Sequence, residues 1–148
     1  MMRPTLFLRI AAVLTLIHAA LHTVGGVFGK PGPGPATVAV AAMKMNAFPF
    51  MGSTRTYWDF YRGLGLGVAI FLAVEGIVFW QLGSLARTAA RQLRPILVIF
   101  LVGYVVLAVN SYFYFFLPPV FVELLIAACL FLAIVTAKSQ SAAYGRAK

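Results

Sequence analysis

Acidic side chains are scarce in this 148-residue chain, which has 12 Lys and Arg but only three Asp and Glu. Cysteine and histidine are scarce as well, with one and two residues respectively. A single cysteine, Cys129, excludes an intramolecular disulfide and a CxxC redox pair. A structural zinc site built from Cys and His alone is also excluded, because it needs four ligands. We interpret Cys129 as a small apolar core residue.

Apolar residues, by contrast, dominate the chain: hydrophobic residues make up 62% of it and charged residues 10%. This composition is typical of an integral membrane protein and excludes an ordinary soluble domain. Four apolar segments approach the roughly 20 residues that a helix needs to cross a bilayer. They cover residues 6–28, 57–82, 95–117 and 119–137. The sequence therefore predicts an all-α fold, a polytopic four-helix transmembrane bundle over residues 1–138, followed by a basic cytoplasmic tail at 139–148.

The distribution of Lys and Arg predicts the orientation of the four spans. Eight basic residues fall on the side of the termini: Arg3, Arg9, Arg87, Arg91, Arg94, Lys138, Arg146 and Lys148. Four fall on the other side: Lys30, Lys44, Arg55 and Arg62. This excess predicts that both termini are cytoplasmic and that the protein attracts anionic membrane lipids. Nucleic-acid binding is not predicted, because the basic residues are divided between two membrane faces and no stacking platform accompanies them.

The first connection, residues 29–56, is long enough to carry structure of its own. It opens with Lys30 followed by alternating Pro and Gly at residues 31–35, which excludes regular helix or sheet there. Residues 37–46 are rich in Ala and Met and predict a short helix lying in the membrane interface. This connection is either a lid over a pocket or a spacer between spans. Further along, the Pro118-Pro119 pair predicts a tight turn between the third and fourth spans.

Both histidines and all three acidic residues lie inside or at the edge of the apolar spans: His18, His22, Asp59, Glu75 and Glu123. Burying an ionisable group in hydrocarbon costs about 2.5 to 3.5 kcal/mol, so their grouping predicts a shared polar site. Counting 1.5 Å per residue from the span ends places several polar side chains in the same third of the membrane. The predicted ligand-binding residues are His22, Asp59, Tyr61, Arg62, Asn110, Tyr114 and Glu123.

Several of these residues also have a purely structural interpretation. Asp59 and Arg62 are three residues apart on one helix face and can neutralise each other. Glu123 lies near the start of the fourth span, where the helix dipole favours a carboxylate. Gly63 and Gly67 form a GxxxG motif, which permits close packing of another helix.

Glu75 lies deep in the second span, on the helix face shared by Tyr57 and Tyr61. A carboxyl at this depth is expected to be uncharged or hydrogen-bonded, because desolvation disfavours its charged form. One interpretation makes Glu75 or His18 the catalytic acid or base of a proton transfer. The other makes Glu75 a neutral side chain that bonds to a neighbouring helix.

His18 and His22 are four residues apart on one helix, so both imidazoles point to the same side. A metal or haem site is one interpretation, with Asp59 or Glu123 completing a metal's ligand shell. Interhelical hydrogen bonding or proton handling is the other. The residues assign no particular cofactor.

Three stretches resemble a family of small bacterial four-span membrane proteins: His22–Gly26 (HTVGG), Asp59–Leu66 (DFYRGLGL) and Arg94-Pro95. This resemblance covers most of the chain and implies a protein of the bacterial inner membrane, but no activity. The order of spans, the chain size and Glu75 also resemble the four-span fold of emopamil-binding and sigma-2-receptor-like proteins. That second resemblance implies an apolar pocket with carboxyls that receives sterol-like or amine ligands. Span one departs from it, with His18 and His22 where that group has an Asp.

Three functions fit these observations. The first is a membrane-embedded binding protein for a hydrophobic small molecule or lipid with one polar end, on which Glu75 or His18 can act by proton transfer. The second is a metal- or haem-binding redox protein that uses His18 and His22. The third is a structural or accessory subunit, or a homo-oligomer, whose contacts run through Gly63, Gly67 and the stripe of Gly25 and Gly29.

Overall fold

The computed structural model describes the backbone of residues 3–145 and the side chains of residues 3–137. Its regular elements are, in chain order, α1 (Pro4–Leu21), a π-helical segment (His22–Val27), α2 (Pro35–Met45), β1 (Ala47–Phe50), β2 (Ser53–Thr56), α3 (Tyr57–Ala89), α4 (Arg94–Tyr114) and α5 (Leu117–Gly145). The predicted all-α class is confirmed, apart from one short hairpin. The side chains of the predicted basic tail, 139–148, lie outside the described residues.

Four of these helices are long and apolar enough to span a membrane. They cover Pro4–Val27, Tyr57–Ala89, Arg94–Tyr114 and Leu117–Ala137. The four predicted spans are therefore confirmed, and only the end of α3 moves by more than three residues. The 33 residues of α3 extend about 50 Å, whereas the hydrocarbon core of a bilayer is about 30 Å thick. The α3 helix is therefore longer than the hydrocarbon core is thick.

Proline marks the beginning of every α-helix except α3. It occupies the first turn of α1, α2, α4 and α5, where its missing N–H removes no helical hydrogen bond. In α2, Pro35 follows Gly34, whose φ of 80° turns the chain into the helix. The short helix predicted at 37–46 is thus present and begins two residues earlier. The α3 helix begins instead with side-chain hydrogen bonds from Thr56, described below.

Contacts divide the chain into two compact units, and each is described by itself. The first unit joins Met1–His18 to Ala73–Lys148, and the second unit is Ala19–Leu72. In the first unit, side chains from all four long helices form one apolar core. Its most deeply buried members are Leu8, Phe79, Leu97, Ile126 and Leu130.

Within the first unit, α1 packs closely against α3 because α3 presents glycines to it. A Cβ added at Gly76 would lie 2.7 Å from Leu16 Cγ, and one at Gly83 would lie 3.5 Å from Leu8 Cβ. Since the contacts run forward along α3 and backward along α1, the two helices are antiparallel. Small residues allow such close approach where lipid supplies no hydrophobic drive between helices.

The last two helices form a hairpin in the first unit. The chain reverses at Phe115 and Phe116, and Pro118 and Pro119 occupy the first turn of α5 rather than the turn itself. The buried residues of α4 are Leu97, Tyr104, Ala108 and Ser111. Their spacing of seven, four and three residues places them on one stripe of the helix.

In the second unit, β1 and β2 form an antiparallel hairpin with Phe50 opposite Ser53. The two residues between them have positive φ, 45° at Met51 and 80° at Gly52, as a type I′ turn requires. The sequence did not predict this hairpin. Its signal is weak because Met-Gly is not one of the usual turn pairs and Pro49 removes a donor from β1.

We expect Gly76→Ala to destabilise the protein by about 1 to 3 kcal/mol, because the added methyl would overlap Leu16 and lie 3.3 Å from the Ala12 carbonyl oxygen where α1 packs on α3. The measurement is the free energy of unfolding in mixed micelles, followed by tryptophan fluorescence. Gly103→Ala is the matched control, since a Cβ at Gly103 has no neighbour within 4 Å. Equal stability of the two variants would contradict the close α1–α3 packing.

Candidate functional site

The predicted site residues divide between the two units. His22, Asp59, Tyr61 and Arg62 belong to the second unit. His18, Glu75, Asn110, Tyr114 and Glu123 belong to the first. Each group is therefore considered within its own unit.

In the first unit, Glu75 has a partner on another helix. The Tyr104 hydroxyl donates a hydrogen bond to Glu75 Oε2 at 2.8 Å. The same hydroxyl lies 3.4 Å from Thr15 Oγ1, and Thr15 donates to the carbonyl of Ala11 at 2.9 Å. Tyr104 is only 3% exposed and Thr15 is fully buried. Glu75, Tyr104 and Thr15 therefore link α3, α4 and α1 through polar contacts inside the bundle.

A second buried carboxyl lies on the hairpin of the first unit. Ser111 Oγ donates to Glu123 Oε1 at 2.9 Å, and Glu123 is 2% exposed. Its other oxygen, Oε2, has no hydrogen-bond partner among the described residues. Ser111 and Tyr104 are seven residues apart on the buried stripe of α4, with Ala108 between them. The two carboxyl contacts thus lie about 10 Å apart along α4.

The other predicted residues of the first unit lie elsewhere. Asn110 and Tyr114 share a face of α4, but both are exposed and lie off the buried stripe. His18 is half-buried on α1. Sequence reasoning missed Tyr104, Thr15 and Ser111, although the seven-residue spacing of Tyr104 and Ser111 was a usable signal.

In the second unit, His22 connects two helical segments. Its Nε2 lies 3.0 Å from the carbonyl oxygen of Gly65, and since a carbonyl only accepts, Nε2 carries the proton. Tyr61 also contacts the π-helical segment, donating to the Gly26 carbonyl at 3.3 Å. The Arg62 guanidinium lies 4.8 Å from the centroid of Phe28. These three side chains hold the π-helical segment against α3.

These contacts also bear on metal binding and on helix packing. The described residues contain no group of three or more His, Cys, Asp and Glu that is arranged to hold a metal ion. Because His22 Nε2 donates to the Gly65 carbonyl, Nδ1 is the ring nitrogen that would be left to bind a metal. Among the glycines, Gly65 contacts Val27, whereas Gly63 and Gly67 have no neighbour within 4 Å of an added Cβ. The predicted GxxxG contact is therefore not made inside the described chain.

Asp59 is bound to the start of its own helix. Its Oδ2 accepts hydrogen bonds from the backbone N–H and the hydroxyl of Thr56, at 2.8 and 2.9 Å. The Asp59 N–H in turn donates to Thr56 Oγ1 at 3.1 Å. This reciprocal arrangement is a capping box, and it satisfies donors that the first turn of α3 would otherwise leave unpaired. Oδ1 of Asp59 takes no part in it.

Aromatic side chains attach the hairpin of the second unit to α3. Phe48 stacks on Phe60 with ring centroids 6.0 Å apart, and Phe50 meets Phe60 edge-on at 5.3 Å. Nearby, the Lys44 ammonium lies 4.8 Å above the Trp58 ring. Such contacts contribute about 0.5 to 1.5 kcal/mol each beyond the apolar area that they bury.

An open cleft of about 420 Å³ lies between the hairpin and the first turns of α3. Its lining residues are Phe50, Met51, Ser53, Arg55, Asp59, Phe60, Gly63 and Leu64. Arg55 donates from Nη1 to the Thr54 carbonyl at 2.9 Å, which leaves most of its N–H groups unused. The lining therefore combines charged, aromatic and aliphatic side chains.

Of these lining residues, the sequence predicted only Asp59 as part of a site. Arg55 was counted only for topology, and the others became recognisable only with the hairpin. Comparison of the chain with protein-family models, with curated proteins and with solved structures found no match. The two resemblances described above therefore stay predictions.

We expect Tyr104→Phe to lower the free energy of unfolding by about 1 to 3 kcal/mol, because it removes the donor to Glu75 inside the bundle. Tyr112→Phe is the matched control on the same helix, since Tyr112 is 64% exposed. Thermal unfolding in detergent measures both. A Tyr104→Phe variant as stable as Tyr112→Phe would show that the hydrogen bond adds nothing to the bundle.

Proposed function

We propose that this chain is a membrane-embedded binding protein for a hydrophobic small molecule or lipid with one polar end, and that the ligand occupies the cleft of the second unit. The supporting observation is the chemistry of the cleft lining. Arg55, Asp59 and Ser53 contribute polar groups to the lining, and Phe60 and Leu64 contribute apolar ones. A volume of about 420 Å³ falls within the range of about 300 to 1,000 Å³ that small-molecule sites occupy.

The position of the cleft on α3 suits an amphiphile. Trp58, in the first turn of α3, is the type of residue that anchors helices at the membrane interface. Arg55 precedes it in the chain, and Gly63 and Leu64 follow it by more than one turn into the apolar span. A bound lipid would thus place its headgroup beside Arg55 and its chain along Leu64.

The charged groups narrow the choice of headgroup. The unused N–H groups of Arg55 suit a phosphate or carboxylate, because the guanidinium fork matches those oxygens. Oδ1 of Asp59, which the capping box leaves available, accepts a hydrogen bond from a hydroxyl or an ammonium group. We therefore favour a headgroup that carries both an anion and a donor.

The topology belongs to the same proposal. Eight basic residues against four support cytoplasmic termini, and the resemblance to small bacterial membrane proteins supports the inner membrane. The cleft would then open on the side opposite the cytoplasm. Turnover is a separate question: the predicted acid or base is Glu75 or His18, and both belong to the first unit. Loss of turnover in Glu75→Gln with binding retained would support Glu75 in that role.

The test is ligand-dependent thermal stability of the purified protein across a panel of phospholipids, fatty acids, sterols and quinones. Leu64→Trp fills the cleft at an apolar lining side chain that is 72% exposed, so its cost in folding should be small. We expect it to weaken binding of the stabilising compound about tenfold or more, a loss of about 1.4 kcal/mol or more.

Leu125→Trp, at an exposed position of α5 in the first unit, is the matched control and should leave binding unchanged. Arg55→Gln should weaken the binding of compounds with an anionic end and leave the binding of neutral compounds unchanged. If no compound in the panel stabilises the protein, or if Leu64→Trp binds as the wild type does, the cleft is not the ligand site.

A further inference from the structure

Arg9 occupies an unusual position for a cation in the first unit. It lies on α1 in a membrane-spanning segment, and its guanidinium carbon is 3.6 Å from the centroid of the Trp80 ring. Its Nη2 donates to Ser84 Oγ at 2.9 Å. A Cβ at Gly83 would lie 3.3 Å from Arg9 Nε, so the glycine leaves room for the guanidinium. Three residues of α3 thus fix the side chain in one place.

The positive charge of Arg9 has no counter-ion from the acidic residues of its unit. Glu75 accepts from Tyr104 and Glu123 accepts from Ser111. Glu75 also lies nine residues before Ser84, about 14 Å along α3. Among the described residues, Arg9 Nη1 is closed to solvent and has no hydrogen-bond partner. A guanidinium nitrogen that is closed to solvent and lacks an acceptor is costly, and Arg9 also lacks a counter-ion, so an external anion would stabilise it.

The surroundings of Arg9 indicate where that anion comes from. Trp80 is 46% exposed and marks the membrane interface at this part of α3. The large apolar side chains of Ile10, Val13 and Ile77 are exposed beside it, as expected of a lipid-facing surface. An anion that reaches Arg9 therefore arrives at headgroup depth from the bilayer, and a lipid phosphate is the anion found there.

We propose that Arg9, Trp80 and Ser84 form a binding site for the phosphate of an anionic membrane lipid. The guanidinium binds phosphate oxygens through its fork. Ser84 accepts from Arg9, which leaves its own O–H to donate to the phosphate. Arg87, exposed one turn further along α3, adds positive charge. This site is independent of the cleft in the second unit and does not rest on the function proposed for it.

The experiment measures stabilisation of the detergent-purified protein by phosphatidylglycerol and by phosphatidylcholine with the same acyl chains. It is run at about 0.5 M salt, where the Debye length is only about 4 Å and diffuse attraction is suppressed. We expect phosphatidylglycerol to stabilise the wild type more strongly. Arg9→Gln should lower the affinity for phosphatidylglycerol about tenfold. Arg9→Lys should retain part of that affinity, because lysine keeps the positive charge but lacks the planar guanidinium that binds two phosphate oxygens at once.

Three controls make the result decisive. Arg91→Gln removes the same charge from an exposed position and should change the affinity for phosphatidylglycerol less than twofold. If Arg91→Gln lowered that affinity as much as Arg9→Gln does, diffuse attraction to positive charge would explain the preference and the site would be overturned. Ser84→Ala is a milder change that should fold even if Arg9→Gln does not, and it should lower the affinity for phosphatidylglycerol. Unaltered affinity in Ser84→Ala would count against the site. Inorganic phosphate should not stabilise the protein, and equal stabilisation by it would overturn the lipid assignment.

The two proposals are distinguished by exchanging their variants. Arg9→Gln should leave binding in the cleft unchanged. Because the cleft can itself take an anionic lipid through Arg55, the Arg9 site is measured in the Leu64→Trp variant, whose cleft is filled. That variant should keep the preference for phosphatidylglycerol, and adding Arg9→Gln to it should abolish the preference. Loss of the preference in Leu64→Trp alone would assign that lipid to the cleft instead and overturn the Arg9 site.

Discussion

Hydrocarbon offers no hydrogen bonds, so a polar side chain in a membrane span must find its partner within the protein. Three polar contacts of the spans, one buried and two partly buried, follow from that constraint. Glu75 binds Tyr104, Glu123 binds Ser111, and His22 binds the carbonyl of Gly65. Each contact joins residues that are far apart in sequence or on different helices, so it also determines which helix faces meet.

The helices approach each other closely because glycine, which has no side chain, lies at their contacts. Gly76 and Gly83 allow α1 to lie against α3 in the first unit, and Gly65 receives Val27 in the second. A hydrogen bond such as that of His22 to Gly65 requires the donor to reach a backbone carbonyl, which a larger residue would cover. Small residues and polar side chains therefore act together in holding these helices.

Polar groups at the ends of the spans meet water and lipid headgroups instead of hydrocarbon. Their unused hydrogen-bond donors and acceptors can therefore bind ligands. Asp59 is committed to Thr56 through only one oxygen, and Arg55 uses one nitrogen on Thr54. Arg9 is held by Trp80 and Ser84 but keeps donors that no described residue accepts. The buried carboxyls serve the interior of the bundle, whereas the charges at the boundaries are suited to headgroups. This separation is the physical basis for the two lipid sites that we propose.

The amino-acid sequence by itself determined the membrane-spanning class, the four spans and the short helix of the first connection, because length and hydropathy depend only on neighbouring residues. Proline at the helix starts is local information of the same kind. The partners of Glu75, Glu123 and His22 were decided only by tertiary structure, since each contact depends on helix rotation and register. The cleft depended likewise on a hairpin whose turn, Met51-Gly52, has a weak sequence signal. The sequence identified which residues are costly to bury. Packing decided which of them are paired with a hydrogen-bond partner and which keep unpaired donors or acceptors.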